Sequence, residues 1–127
     1  MRKTVKSLRY ALAGVLHAAV TERNFPLFVV AFAIELFLAF FLRISRFEWT
    51  ALIITGGVFL SVELLNTAIE RLSDALNDEQ HKFNVKFDSG IRLTKDVAAA
   101  ASFMSLLTII AISLIVFLPH LFPRLVQ

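Results

Sequence analysis

Three long apolar runs, at residues 25–42, 50–70 and 96–118, alternate with short polar stretches, and an amphipathic segment precedes them. In that segment, over about residues 4–20, Val5, Leu8, Leu12, Val15, Leu16 and Ala19 recur at helical spacing. Lys3, Lys6 and Arg9 lie largely off that face. The pattern predicts a helix lying in a membrane interface; its plainer alternative is the first helix of a soluble bundle. Each long run reaches the roughly 18–22 residues that a helix needs to cross a bilayer. Pro26 stands where a first helical turn tolerates it, and Glu35 falls near the middle of the first run. Residues 43–49 read as a loop, with Trp49 as an interfacial anchor. Gly56 and Gly57 mark a close helix–helix approach, and AAAAS at 98–102 offers a smooth packing face. Pro119 and Pro123 end the last run. The polar stretch 74–96 carries a turn signal at Asp88, Ser89 and Gly90, and Thr94 is placed to cap the next helix. These elements make an all-α membrane protein, with an N-terminal surface helix and three transmembrane helices in one domain.

Composition strengthens this picture. Of 127 residues, 57% are hydrophobic and 13 are Phe, which leaves too little polar surface to cover a soluble core. With no cysteine there is no disulfide framework, thiolate chemistry or Cys-based zinc site. The net charge of +3 suits an anionic membrane surface and argues against a nucleic-acid partner. The basic residues spread through the chain start do not read as a signal peptide. Orientation follows from the Lys and Arg positions. Arg2, Lys3, Lys6, Arg9 and Arg23 precede the first run, and Arg71, Lys82, Lys86, Arg92 and Lys95 follow the second. The opposite side has Arg43, Arg46 and Arg124. The N-terminus and the long loop are therefore expected in the cytoplasm.

The chemistry lies in VELLNTAIERLSD, residues 62–74. On a helix, Glu63, Asn66, Glu70 and Asp74 share a stripe about 80° wide, running from lipid depth toward water. Carboxylates one turn apart repel unless a cation lies among them, so a metal ion or a basic side chain is expected. Oxygen donors without cysteine favour Mg²⁺ or Mn²⁺, with nucleotide phosphates completing the shell. Lys95 can hold phosphate oxygens, and Asp96 can orient Lys95 or Asn66. A carboxylate stripped of water is a stronger proton acceptor, which makes Glu63, the deepest, a candidate base toward a hydroxyl arriving from the bilayer. From spacing alone two alternatives stand beside catalysis. The carboxylates form structural salt bridges with Arg71 and Lys95, or Glu35 and Glu63 line an ion or proton path in a small non-enzymatic transporter.

VELLNTAIE with Asp74, followed by TKDVAAAA at 94–101, resembles the prokaryotic integral-membrane diacylglycerol kinase family, which includes undecaprenol kinases. The family pattern runs E-h-h-N-[ST]-A-I-E-x-x-x-D (h, hydrophobic), then K-D-x-x-[AS]-A-A. The resemblance extends over nearly the whole chain, including a Glu-x-x-Phe element at Glu22 and Phe25. It implies a homotrimer of three-span subunits in the bacterial cytoplasmic membrane that transfers the γ-phosphate of MgATP to a lipid alcohol. Diacylglycerol is the leading acceptor and undecaprenol the alternative. It further implies Glu63 as general base, and Glu22 and Glu70 as metal-holding carboxylates. Asn66 would place the reacting groups, with Asp74, His81, Lys95 and Asp96 at the nucleotide and Lys3 and Tyr10 contributing from the surface helix. The chain departs from the family at Pro26, Leu27 and Phe28, where polar residues are usual, and at Ala13, where lysine is common. It also departs in a longer stretch between His81 and Lys95, and at Glu35.

Overall fold

A computed structural model describes the backbone of residues 2–82 and 89–122 and the side chains of residues 3–79 and 89–122. The described residues form four helices: α1 (Arg2–Thr21), α2 (Asn24–Leu42), α3 (Arg46–Lys82) and α4 (Ser89–Leu121). The last three are long and apolar enough to cross a membrane. At 1.5 Å per residue α3 is about 55 Å long, well beyond a hydrocarbon layer of about 30 Å. The helix is therefore longer than one crossing needs, and its later part carries the candidate stripe.

The connection between α2 and α3 is tighter than the sequence pattern suggested. Residues 43–49 do not form a loop, because α3 already begins at Arg46. Two local devices cause this. Arg43 adopts a left-handed conformation (φ 51°), and the Ile44 N–H donates to the Ala39 carbonyl at 3.4 Å, closing α2. Ser45 and Glu48 then cap α3 reciprocally. The Ser45 N–H donates to Glu48 Oε2 at 2.7 Å, and the Glu48 N–H donates to Ser45 Oγ at 3.3 Å. The turn drops Ile44 into a cluster with Ala39, Leu52, Val116 and Phe117, against which Trp49 also packs.

Helix α4 likewise starts earlier than expected. Ser89 and Gly90 are already helical, while Asp88 lies outside the described residues. Thr94 does not cap; its hydroxyl donates back to the Gly90 carbonyl inside the helix at 2.9 Å. Pro119 lies within α4, which runs on to Leu121, and Pro123 lies outside the described residues. A proline near a helix end costs one backbone bond, and the chain continues helically because the Phe122 N–H still reaches the Leu118 carbonyl at 2.9 Å.

Packing is uneven. Helices α3 and α4 run antiparallel in the most extensive contact, α2 leans on α3, and α1 touches α2 and α3 lightly. Gly56 permits the α2–α3 approach, since a Cβ there would collide with the Phe32 ring. Gly57 faces open space and has no such role. Of the alanine-rich face, Ala98 and Ser102 turn inward at i, i+4 spacing, while the residues between them are exposed. Several hydroxyls in the apolar helices are satisfied by their own backbone, as Thr55 is by the Ala51 carbonyl at 2.7 Å. Phe28 meets Phe59 edge-on with ring centroids 4.9 Å apart, whereas Phe37, Phe40 and Phe41 face outward.

Candidate functional site

Helix α3 carries the stripe as one graded surface. Glu63 and Asn66 are buried, at 8% and 9% exposure, Glu70 is half-buried and Asp74 is exposed. The buried end is the one where α4 supplies Ser102 against Glu63.

Each carboxylate has found a partner. The Ser102 hydroxyl of α4 donates to Glu63 Oε2, a buried bond across the helix pair. Asn66 Nδ2 donates to Glu70 Oε1 at 3.0 Å one turn along α3. That amide's Oδ1 is buried and has no partner among the described residues. A buried acceptor left open is costly, and Asn66 lies on the stripe between Glu63 and Glu70. Lys95 Nζ donates to Asp74 Oδ1 at 2.7 Å. Arg71, next to Glu70 in sequence, reaches across to Glu22 Oε1 at 2.7 Å. The expected cations among the carboxylates are thus, in part, Lys95 and Arg71.

The structure brings Glu63, Asn66, Glu70, Asp74 and Lys95 into one strip, with Glu22 tied to its flank. Among the described residues, Asp96, Lys3 and Tyr10 make no hydrogen bond to this strip. Asp96 makes no hydrogen bond to Lys95 or Asn66 and instead lines a shallow concavity with Ser89, Arg92 and Leu93. Lys3 and Tyr10 are exposed on α1, where Lys6 Nζ lies 5.8 Å above the Tyr10 ring. The His81 side chain lies outside the described residues. Among the described residues no three His, Cys, Asp or Glu side chains gather to hold a metal ion. Magnesium on a nucleotide does not need three, since one or two carboxylates suffice when phosphates complete the shell. Glu22 and Glu70 are hard oxygen donors at the same end of α3, and each engages only its Oε1 in the bonds described, so their donor chemistry fits such an ion.

Two contributors were missed in the sequence. Ser102 sits in the alanine-rich packing face as the one hydroxyl ending the alanine run. Asn77 also has a buried Oδ1 with no partner among the described residues. It lies three residues past Asp74, within the same angular stripe, so helical periodicity alone would have found it. Glu35, deep in α2, meets the Ser113 hydroxyl, which also lies 2.7 Å from the Ile109 carbonyl.

The Glu63–Ser102 bond leads to a direct expectation. Ser102→Ala leaves a buried carboxylate without its donor and should cost about 1–3 kcal/mol of stability. Ser105, whose hydroxyl serves only the Ser102 carbonyl at 2.7 Å, is the control, and Ser105→Ala should be milder. Thermal unfolding in detergent compares the two.

Similarity to known proteins agrees with this geometry. Residues 9–117 match the sequence profile of a family described as prokaryotic diacylglycerol kinase. The undecaprenol kinase of Bacillus subtilis is 33% identical over 121 residues, covering 95% of this chain and 93% of that protein. The diacylglycerol kinase of Pseudomonas aeruginosa is 32% identical over 109 residues, covering 86% and 83%. A diacylglycerol kinase of Synechocystis is 28% identical over 121 residues, covering 94% of this chain and 65% of that protein. The profile match spans α3 and its stripe entirely and most of α4, so the chain belongs to the prokaryotic diacylglycerol kinase family.

Proposed function

We propose that this chain is a membrane-embedded lipid kinase that transfers the γ-phosphate of MgATP directly to the hydroxyl of a lipid alcohol. The observation that carries the proposal is the graded stripe on α3, from buried Glu63 to exposed Asp74 with its partner Lys95. One end suits an acceptor arriving through lipid, the other a nucleotide arriving through water.

Glu63 takes the proton of the acceptor hydroxyl as its oxygen attacks the γ-phosphorus, the bond from that phosphorus to the bridging oxygen breaks and ADP leaves, and Ser102 holds the carboxylate in position. Asn66, one turn from Glu63 and with its Oδ1 open among the described residues, helps to place the reacting groups. Glu22 and Glu70 would hold magnesium, which when bound neutralises phosphate charge. Lys95 exchanges Asp74 for phosphate oxygens, with Asp74, Asp96 and His81 around the nucleotide. In this proposal α1 lies on the membrane surface and carries Lys3 and Tyr10 toward the nucleotide. The N-terminus and the stripe face the cytoplasm, following the Lys and Arg distribution. A homotrimer follows the same logic, since one subunit of three spans barely encloses a nucleotide.

Both acceptors named by the relatives are tested together. Purified protein in mixed micelles receives Mg²⁺ and ATP labelled in its γ-phosphate, with diacylglycerol and undecaprenol offered separately. Label should enter at least one lipid. The long alignment with the undecaprenol kinase makes undecaprenol a full second candidate. Absence of label from both, in folded protein, would overturn the proposal. Solute flux without nucleotide consumption would instead favour the transporter alternative.

A further inference from the structure

The contact between the end of α1 and α3 is centred on Arg71. Its Nε and Nη2 both donate to Glu22 Oε1, at 3.2 and 2.7 Å. Nη2 also reaches Thr21 Oγ1, and Nη1 reaches His17 Nε2. Thr21 is itself held, because its hydroxyl donates to the His17 carbonyl at 2.8 Å. One guanidinium thus gathers three side chains from the last turn of α1 and the link that follows it.

Glu22 lies in the two-residue link between α1 and α2, its N–H making the last bond of α1 to the Ala18 carbonyl at 2.9 Å, and its carboxylate accepts hydrogen bonds from Arg71 and Thr21. Both donors from Arg71 converge on Oε1, while Oε2 has no hydrogen-bond partner among the described residues. A planar fork bound to one oxygen fixes the carboxylate's orientation and leaves the other oxygen available. Arg71 is suited to this by its place in the helix. One residue past Glu70, it is turned about 100° off the stripe. It can therefore engage Glu22 without occupying the stripe.

We infer that Arg71 is a positioning residue: it holds Glu22 by one carboxylate oxygen so that the other can take the magnesium ion of the phosphoryl donor. The inference rests on the kinase proposal and on Glu22 as a metal-holding residue. Side chains that hydrogen-bond a ligating carboxylate act on metal affinity through it, and their loss typically weakens binding about 10–100-fold.

The test compares wild type with Arg71→Met and Arg71→Lys in two readouts. The first is KM and kcat for MgATP at saturating lipid. The second needs no turnover: it is Mn²⁺ affinity with a non-hydrolysable ATP analogue present, followed by the spin resonance of free Mn²⁺. Arg71→Met should raise KM and weaken Mn²⁺ binding, each about tenfold or more, with a smaller change in kcat. Arg71→Lys keeps the charge but loses the fork, and should fall between the two. Unchanged KM and Mn²⁺ affinity would overturn the inference. So would tighter Mn²⁺ binding, which would make Arg71 a competitor of the ion. A lower thermal midpoint or kcat with KM and Mn²⁺ affinity unchanged would reduce Arg71 to a structural tie and would also overturn it. If Arg71→Met does not fold, Arg71→Lys decides by the same two readouts. Absence of lipid phosphorylation by wild type would count against the kinase proposal, while the Mn²⁺ comparison would still test Arg71.

Discussion

Glu63→Gln is expected to leave a folded protein whose lipid phosphorylation falls by about 10²–10⁴-fold, the range for removing a positioned general base. The substitution is nearly isosteric, and its amide oxygen can still accept the hydrogen bond that Ser102 donates to Glu63 Oε2. Packing between α3 and α4 should survive, because the new side chain is neutral and fills the same buried place. What is lost is the capacity to take a proton. The amide cannot become an acid at the moment the acceptor oxygen attacks. Label transfer from ATP to lipid measures the loss, and the thermal midpoint and nucleotide-analogue affinity establish that the rest is intact. Near-normal turnover would remove Glu63 as the base and point to a proton acceptor elsewhere along the stripe.

Glu70→Gln should reduce transfer by about a hundredfold or more at ordinary Mg²⁺ concentration, because it removes half of the proposed carboxylate pair for the ion. The new side chain can still accept from Asn66 Nδ2, which now lies 3.0 Å from Glu70 Oε1, so Asn66 should keep its place. An amide oxygen is a much weaker ligand for a hard cation than a carboxylate. Raising Mg²⁺, or substituting Mn²⁺, should therefore recover part of the activity of Glu70→Gln and almost none of that of Glu63→Gln. This contrast separates the two roles. A titration of transfer rate against Mg²⁺ in both variants measures it. Equal rescue of both, or of neither, would mean that the two carboxylates do not divide the work as proposed.

Much of the fold was legible because apolar runs of bilayer length need no partner to be recognised. The start of α3 is also legible locally, in a Ser45-x-x-Glu48 pattern that fits a capping box and sets the helix start ahead of Trp49. The start of α4 was obscured for a different reason. Gly90 is a turn signal by type, but it is absorbed into the first turn of a long helix whose later residues pack against α3. Pro119 misled similarly, since a proline close to a helix end removes one bond without ending the helix.

The sequence by itself determined the stripe on α3: Glu63, Asn66, Glu70 and Asp74 share a face because the backbone repeat of a helix places them there. It also determined that this face passes from an apolar run into a polar one. Only the tertiary structure decided what each side chain meets. Ser102 lies 39 residues from Glu63, Lys95 lies 21 from Asp74, and Arg71 lies 49 from Glu22. The first two pairings depend on how far α3 and α4 slide along each other and how each helix is rotated, and the third on how the α1–α2 end seats against α3. That is set by close contacts such as the cluster of Leu52 with Val116 and Phe117, and Phe32 against Gly56, not by spacing along one chain. The periodicity of a single helix follows from its own hydrogen bonds, whereas the register between helices follows from the packing of side chains that the sequence brings together only on folding.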